Sequence, residues 1–283
     1  MIDGNTELIA HIGYPTHTFK SPQIYNPYFE ATGIAAVVVP MSCQAHHFAS
    51  FLPSVFGLTN VRGALITMPH KVSVVDLLDE VTATVRMAGS CNAVKKTADG
   101  RLVGDMFDGL GFVRSLQRKG FDFRGRRALV IGAGGVGSAI AASLAQTELA
   151  AIDLFDLHAP AAHALADRLR AHVPQLTVRT GHNDAAGQDL VVNATPLGMG
   201  AHDPLPTDLR RLHASTWVAE VVMSATPTPL VQRALQLGCP LQLGTDMLFE
   251  QIPAYLEFFG LPSTTPEHLR ELAQLKTPER SMA

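Results

Sequence analysis

The chain reads as an α/β protein in two parts, each built on a sheet with helices packed on both faces. Three observations predict this. Apolar runs of strand length alternate with helix-length segments over most of the 283 residues, the pattern of βαβ units. The chain is longer than one small core requires, and 47% of it is apolar. A complete GxGxxG, Gly132-Ala133-Gly134-Gly135-Val136-Gly137, follows the strand-like Leu129-Val130-Ile131 and precedes a helical pattern. That context marks a Rossmann-type, doubly wound parallel sheet, and the part before it is expected to be a three-layer α/β domain.

In the first part, residues 9–13, 36–39 and 63–67 are expected as buried parallel strands, with helices over 21–31, 43–52 and 69–78 between them. Residues 92–96 and 101–105, joined by Asp99-Gly100, predict a hairpin, because Asp-Gly suits a tight turn. A helix over 108–118 leads to a polar stretch, 119–127, that marks a change of domain. Strands follow at 128–131, 151–155, 176–179, 189–193 and 216–222, with helices at 135–147, 160–172 and 229–237. After Gly244 come two helices, 245–259 and 266–275, which either close the second domain or return to the first.

Composition narrows the function. The net charge is −3, charged residues are 17%, and no basic block is present, so nucleic acid is not an expected partner. No segment approaches the ~20 apolar residues of a membrane span. The start, MIDGNTELIAH, has no cationic flank before an apolar run and is not read as a signal peptide. Cys43, Cys91 and Cys239 are odd in number and far apart, which fits reduced thiols in the cytoplasm. The 12 histidines do not group usefully: His46 and His47 are adjacent, and His158 and His163 sit five apart. No metal site is expected, and nearly all the histidines read as surface or satisfied core residues. A small molecule is the expected partner of a monomer or homodimer.

The glycine motif has a physical job at each position. Gly132 permits the strand-to-helix turn, Gly134 lets backbone approach a pyrophosphate, and Gly137 lets the helix pack against the strand. Ala133, Gly135 and Val136 complete the cradle, and the helix N-terminus favours the phosphate charge. Asp156 ends the next strand near the ~20-residue spacing of the acid that binds the adenosine ribose. A carboxylate there accepts from both ribose hydroxyls and repels a 2′-phosphate. Leu157, His158 and Ala159 follow, with no arginine, so NAD is expected rather than NADP. His158 and Arg168 are the basic groups whose reach toward a 2′-phosphate would reverse that. The loop from Asn193 through Thr195 and Pro196 to Met199 follows a strand end and is placed to line the nicotinamide half. It also reads as a Pro/Gly turn with a capping Asn.

Oxidising an alcohol with a nicotinamide needs a hydride acceptor and a destination for the hydroxyl proton. Lys71, just after Pro69-His70, can take that proton or stabilise the alkoxide as a cation, and a carboxylate such as Asp108 can steady it. Ser21, Thr67 and Asn92 are further polar residues at strand ends.

Several motifs, in order over residues 8–260, give the chain a resemblance to the shikimate dehydrogenase family, including its quinate/shikimate dehydrogenase branch. Gly13-Tyr14-Pro15 with Ser21-Pro22 resembles the opening GxP…SP segment. Thr67-Met68-Pro69-His70-Lys71 resembles TVPxK, and Gly89-Ser90-Cys91-Asn92-Ala93 resembles GAVNT. Gly104 through Asp108-Gly109-Leu110-Gly111 resembles GxNTDGxG. Asn193–Met199, Glu220-Val221-Val222 and Met247–Gln251 resemble the later cofactor and C-terminal segments. The resemblance implies Lys71 and Asp108 as the catalytic pair, with Ser21, Thr67, Asn92 and Gln251 on the substrate. Met223 and Gly244 join the cofactor residues. It implies a substrate domain of residues 1–106 completed by 244–283, and a nucleotide domain of 107–243. The implied activity is hydride transfer between NAD(P) and a ring hydroxyl or ketone of shikimate, quinate or a related hydroxy acid.

Several family positions differ. Phe19 replaces the first of a pair of serines that hold the substrate's carboxylate, leaving Ser21. Leu65, Met106-Phe107, Ala93 and Met223 stand where the family has Asn, Asn-Thr, Thr and Tyr. A site built to hydrogen-bond a polyhydroxy acid discriminates strongly when such partners change. The alternatives are therefore the same chemistry on a less polar hydroxy substrate, or a dinucleotide sensor without turnover. Lys20 beside Ser21 is a cation able to stand in for the missing serine, with Phe19 turned toward the core.

Overall fold

The computed structural model describes residues 2–200, 202–224 and 226–275. Within them the chain divides into two compact units. One comprises Ser90–Phe107 with residues 2–85 and 252–275; the other comprises Arg86–Gly89 and Asp108–Gln251. In chain order the strands and helices are β1 (Glu7–Gly13), α1 (Pro22–Thr32), β2 (Ala36–Ser42), α2 (Ala45–Phe56), β3 (Val61–Ile66), β4 (Glu80–Val81), α3 (Ala83–Ala88), β5 (Ala93–Lys96), β6 (Leu102–Asp105) and α4 (Asp108–Arg118). Then follow β7 (Arg127–Ile131), α5 (Gly135–Ala145), β8 (Ala151–Phe155), α6 (Ala159–His172), β9 (Thr177–Thr180), β10 (Leu190–Asn193), β11 (Trp217–Glu220), α7 (Pro229–Leu237), β12 (Leu241–Leu243), α8 (Gly244–Phe258) and α9 (Pro266–Leu272).

The first unit holds a six-stranded sheet in the order β2-β1-β3-β5-β6-β4. Strand β1 lies between β2 and β3, parallel to both, and its Ile9, Ala10 and Ile12 are wholly buried. The hairpin of β5 and β6 joins antiparallel to β3, so the sheet is mixed. Strand β2 is an edge strand with only Val38 fully buried, not the buried strand its apolar run suggests. Its Pro40 fits that place, because an edge tolerates a residue with no N–H to donate. Helix α9 returns to α1, and the Tyr28 hydroxyl donates to the Pro262 carbonyl at 3.0 Å.

The helix expected over residues 69–78 does not form. Turns and a single 3-10 turn at Val75–Leu77 occupy the segment. Val72, Val74 and Val75 are β-branched and weak helix formers. Tertiary bonds also compete: the Lys71 carbonyl accepts from the Cys91 N–H at 2.8 Å, across the unit. Strands β4 and β12 and helix α3 are too short for periodicity to show.

The second unit holds six parallel strands in the order β12-β11-β10-β7-β8-β9. The chain runs outward from β7 in one direction, then returns to β10 and runs outward in the other, the doubly wound order. Alternate residues of each strand feed two cores. Ala128 and Val130 pack with Ile140, Leu144 and Leu154; Leu129 and Ile131 pack with Val191, Val218 and Leu230. Apolar runs without alternation are the consequence of burying both faces.

Helix α4 lies against α5 so closely that a Cβ on Gly109 would overlap the Ala139 carbonyl and the Ser143 hydroxyl. Backbone cannot move aside as a flexible side chain can. Gly109→Ala is expected to cost about 1–3 kcal/mol, read as a lower urea midpoint with an unchanged slope.

Candidate active site

In the second unit the strand order reverses between β7 and β10, and the predicted glycine and asparagine loops leave these two strands. Gly132 has φ 106°, and a Cβ there would come 2.8 Å from the Ala194 carbonyl oxygen. A Cβ on Gly137 would overlap the Gly132 carbonyl oxygen, so glycine alone lets α5 begin this close to β7. Gly134 differs: a Cβ there would meet nothing within 4 Å. The helix therefore starts beside open space, capped by a residue with no side chain. Ala133, Gly135 and Val136 are partly buried around it. This cradle fits the pyrophosphate of a dinucleotide.

Asp156 stands immediately after β8. Its Oδ2 accepts from the Ala133 N–H at 2.7 Å and its Oδ1 from the His158 N–H at 2.8 Å. The carboxylate is thus fixed against the glycine loop, and Leu157 beside it is 86% exposed. Arg168 is engaged elsewhere: its guanidinium donates to the Met87 and Ala88 carbonyls, at 3.0 Å each.

Asn193 is wholly buried and works as a brace. Its Nδ2 donates to the Leu197 carbonyl at 2.9 Å and to both carboxylate oxygens of Glu220, at 3.0 and 3.1 Å. Its Oδ1 accepts from the Thr195 hydroxyl at 2.6 Å. Thr228 donates its hydroxyl to Glu220 at 2.8 Å. Burial pushes the Glu220 carboxyl above the usual range. Glu220 was legible as part of a motif, but its bonds to Asn193 and Thr228 were not, because they form only once the strands and the start of α7 come together. Thr195 is half-buried, and Pro196 and Met223 are exposed on the same unit. A Cβ on Gly244 would lie 3.0 Å from Met223, so these two sit together.

In the first unit, Lys71 sits on a turn secured through its backbone. The Thr67 N–H donates to Ile12, the Tyr14 N–H to Met68, and the Cys91 N–H to Lys71 itself, at 2.8–2.9 Å. His70 pins the turn from beneath. It is buried, stacks on Phe48 with ring centroids 3.9 Å apart, and its Nε2 lies 2.8 Å from the Cys43 carbonyl. Lys71 and Thr67 are partly buried, and Ser21 is buried at the start of α1 with no capping bond from its hydroxyl. Asn92 is wholly buried; its Oδ1 accepts from the Phe107 N–H at 2.9 Å, while its Nδ2 has no partner. An unpaired buried donor costs about 1–3 kcal/mol, which a ligand oxygen would relieve. In the second unit, Asp108 is buried in the first turn of α4, where the helix dipole favours an acid, and Gln251 is buried with an unpartnered Oε1.

Apart from the exposed Met223 and the half-buried Phe19, the altered positions are absorbed into the core. Leu65 and Ala93 are register partners across β3 and β5, both buried, and Met106 is buried too. Phe107 packs edge-on to Tyr255 and Phe258, with centroids 4.8 and 5.7 Å away. Phe19 is half-buried and stacks on His11 at 4.0 Å. His11 is an exception to the reading of nearly all the histidines as surface or satisfied residues: it is buried, and among the described residues its Nδ1 has no partner.

Burial, reinforced by the charge of Lys71, pushes His11 down to about 3. The unfolded chain takes up this proton near 6.5. Its contribution to stability is therefore complete above about 6.5 and is lost as pH falls from there toward 3, by about 1.4 kcal/mol per pH unit. Thermal unfolding between pH 7 and 4 is expected to be less pH-dependent in His11→Val than in the parent protein. Equal slopes would show that His11 does not titrate this way.

The model of the shikimate dehydrogenase substrate binding domain matches residues 11–94. Over 277 residues the chain is 33% identical to a shikimate dehydrogenase (NADP(+)) of Rhodospirillum rubrum, covering 95% of this chain and 98% of that enzyme. It is 35% identical over 254 residues to the enzyme so named from Rubrobacter xylanophilus, covering 88% and 89%. Among solved structures, the quinate dehydrogenase from Corynebacterium glutamicum in complex with NAD superposes with a TM-score of 0.83 at 29% identity, over 94% of this chain and 98% of that one. The cradle for a dinucleotide, the Lys71 turn and these full-length similarities converge: the chain belongs to the shikimate dehydrogenase family of NAD(P)-dependent oxidoreductases acting on CH–OH groups.

Proposed function

We propose that this protein interconverts a ring hydroxyl and a ketone of shikimate, quinate or a closely related hydroxy acid, using NAD in preference to NADP. The observation that carries the reading is the Lys71 turn, held through backbone bonds beside the unpaired amide donor of Asn92. The substrate domain is the part that carries this turn, and the nucleotide domain is the part with the glycine cradle.

The backbone of Gly132–Gly137 would hold the diphosphate of a dinucleotide, and Asp156 would accept from its ribose hydroxyls. Thr195, Pro196, Met223 and Gly244 would border its nicotinamide half, with Asn193 bracing the loop. When bound, the dinucleotide would supply hydride chemistry. Lys71 takes the hydroxyl proton or stabilises the alkoxide, with Asp108 the acidic member of the catalytic pair. Ser21, Thr67, Asn92 and Gln251 hold substrate oxygens. The NAD preference rests on Asp156, the exposed Leu157 and the engaged Arg168. The curated relatives carry NADP(+) in their names, so this preference is a departure from them. The buried free thiols suit the cytoplasm.

Absorbance of the reduced nicotinamide, followed with shikimate and with quinate on each dinucleotide, tests the reading. Turnover is expected with NAD; faster turnover with NADP would reverse the cofactor assignment. Lys71→Ala should lower kcat by about 10²-fold or more while dinucleotide affinity stays within about twofold. Unchanged turnover in that variant would remove Lys71 from catalysis. Asp156→Asn combined with Leu157→Arg should swing the preference toward NADP by about tenfold or more, because an arginine can grip the 2′-phosphate.

A further inference from the structure

Strand β1 places His11 inside the first unit, 7% exposed. Its Nδ1 is sealed and has no hydrogen-bond partner among the described residues, and Nε2 is not among the atoms that are both sealed and unpartnered. A neutral imidazole carries one proton, and an unpaired buried acceptor is tolerated better than an unpaired buried N–H. The proton therefore belongs on Nε2. Burial and the nearby Lys71 charge both keep the ring neutral.

The ring plane is held by Phe19, stacked at 4.0 Å and 24°. The Phe19 ring also closes on Gly13, where a Cβ would lie 3.0 Å from its tip and would overlap the Thr67 methyl. His11, Phe19, Gly13 and Thr67 thus form one wall, and Thr67 opens the turn that ends in Lys71. With its proton on Nε2, the imidazole gives that wall an uncharged N–H for which no bond is made among the described residues.

We propose that His11 is a substrate-binding residue whose Nε2–H donates to an oxygen of the hydroxy acid, and that Phe19 is the positioning residue that fixes the imidazole plane. The assignment rests on the dehydrogenase reading above, because it requires substrate beside Lys71. A serine hydroxyl at position 19 would rotate to suit its acceptor; an imidazole clamped against a ring donates in one direction. The pair accordingly sets which acids fit, and an uncharged donor keeps its contact through the neutral pH range.

The test uses the full chain saturated with NAD, with shikimate and quinate as probes, by titration calorimetry and by steady-state kinetics. His11→Val should fold, since it replaces an unpaired buried ring on a strand with an apolar β-branched residue. Its Kd or KM should rise about tenfold or more while kcat stays within about threefold. His11→Asn keeps a donor and should recover much of the affinity. Phe19→Leu should weaken binding less than His11→Val. A Kd unchanged in folded His11→Val, or His11→Asn behaving like His11→Val, overturns the assignment. If Lys71→Ala still abolishes turnover in that case, the dehydrogenase reading stands alone. If neither acid binds the parent protein, the His11 assignment falls, and so does the assignment of shikimate and quinate as substrates, while the family's chemistry on CH–OH groups stands.

Discussion

The nucleotide-binding half depends on one close approach: helix α5 begins directly over the Gly132 carbonyl, where Gly137 has no Cβ to obstruct it. That contact sets the height of the helix start above the sheet and leaves the space beside Gly134 open. Asp156 then ties the loop from the neighbouring strand through the Ala133 N–H. The Ala194 carbonyl closes on Gly132 from the other side, so the two loops at the reversal of strand order form as one piece. A side chain at either glycine would push the helix off the sheet and disturb each of these bonds.

The first unit holds the Lys71 turn differently. Lys71 lies on a turn, not a helix, and backbone bonds from two other segments and the buried His70 support it. The segment surrenders regular structure because long-range partners satisfy its carbonyls better than a run of β-branched residues would in a helix. Most buried polar groups in folded proteins are paired, so the exceptions are informative. In this unit they include the amide of Asn92 and the imidazole of His11. Both lie on residues close in structure to the Lys71 turn.

The apolar residues that replace the family's polar ones make sense as sets. Leu65 and Ala93 face each other across two strands, and Phe107 packs with Tyr255 and Phe258. Phe19 and His11 likewise form a pair. At these positions the polar loss is matched by a partner that gives the new side chain something to touch.

The sequence by itself determined the alternation of strands and helices, the hairpin at Asp99-Gly100, the glycine cradle with its acid at Asp156, and the ordered motifs that place the chain in its family. These are local features: they depend on periodicity, on turn chemistry and on residues a short distance apart. Only the tertiary structure decided that residues 69–78 form turns, that β2 is an edge, that Asn193 braces a loop through Glu220 and Thr228, that Arg168 is engaged with the backbone of residues 87 and 88, and that His11 is buried against Phe19. These depend on how the fold packs the elements, which brings together backbone and side-chain groups that no local pattern pairs.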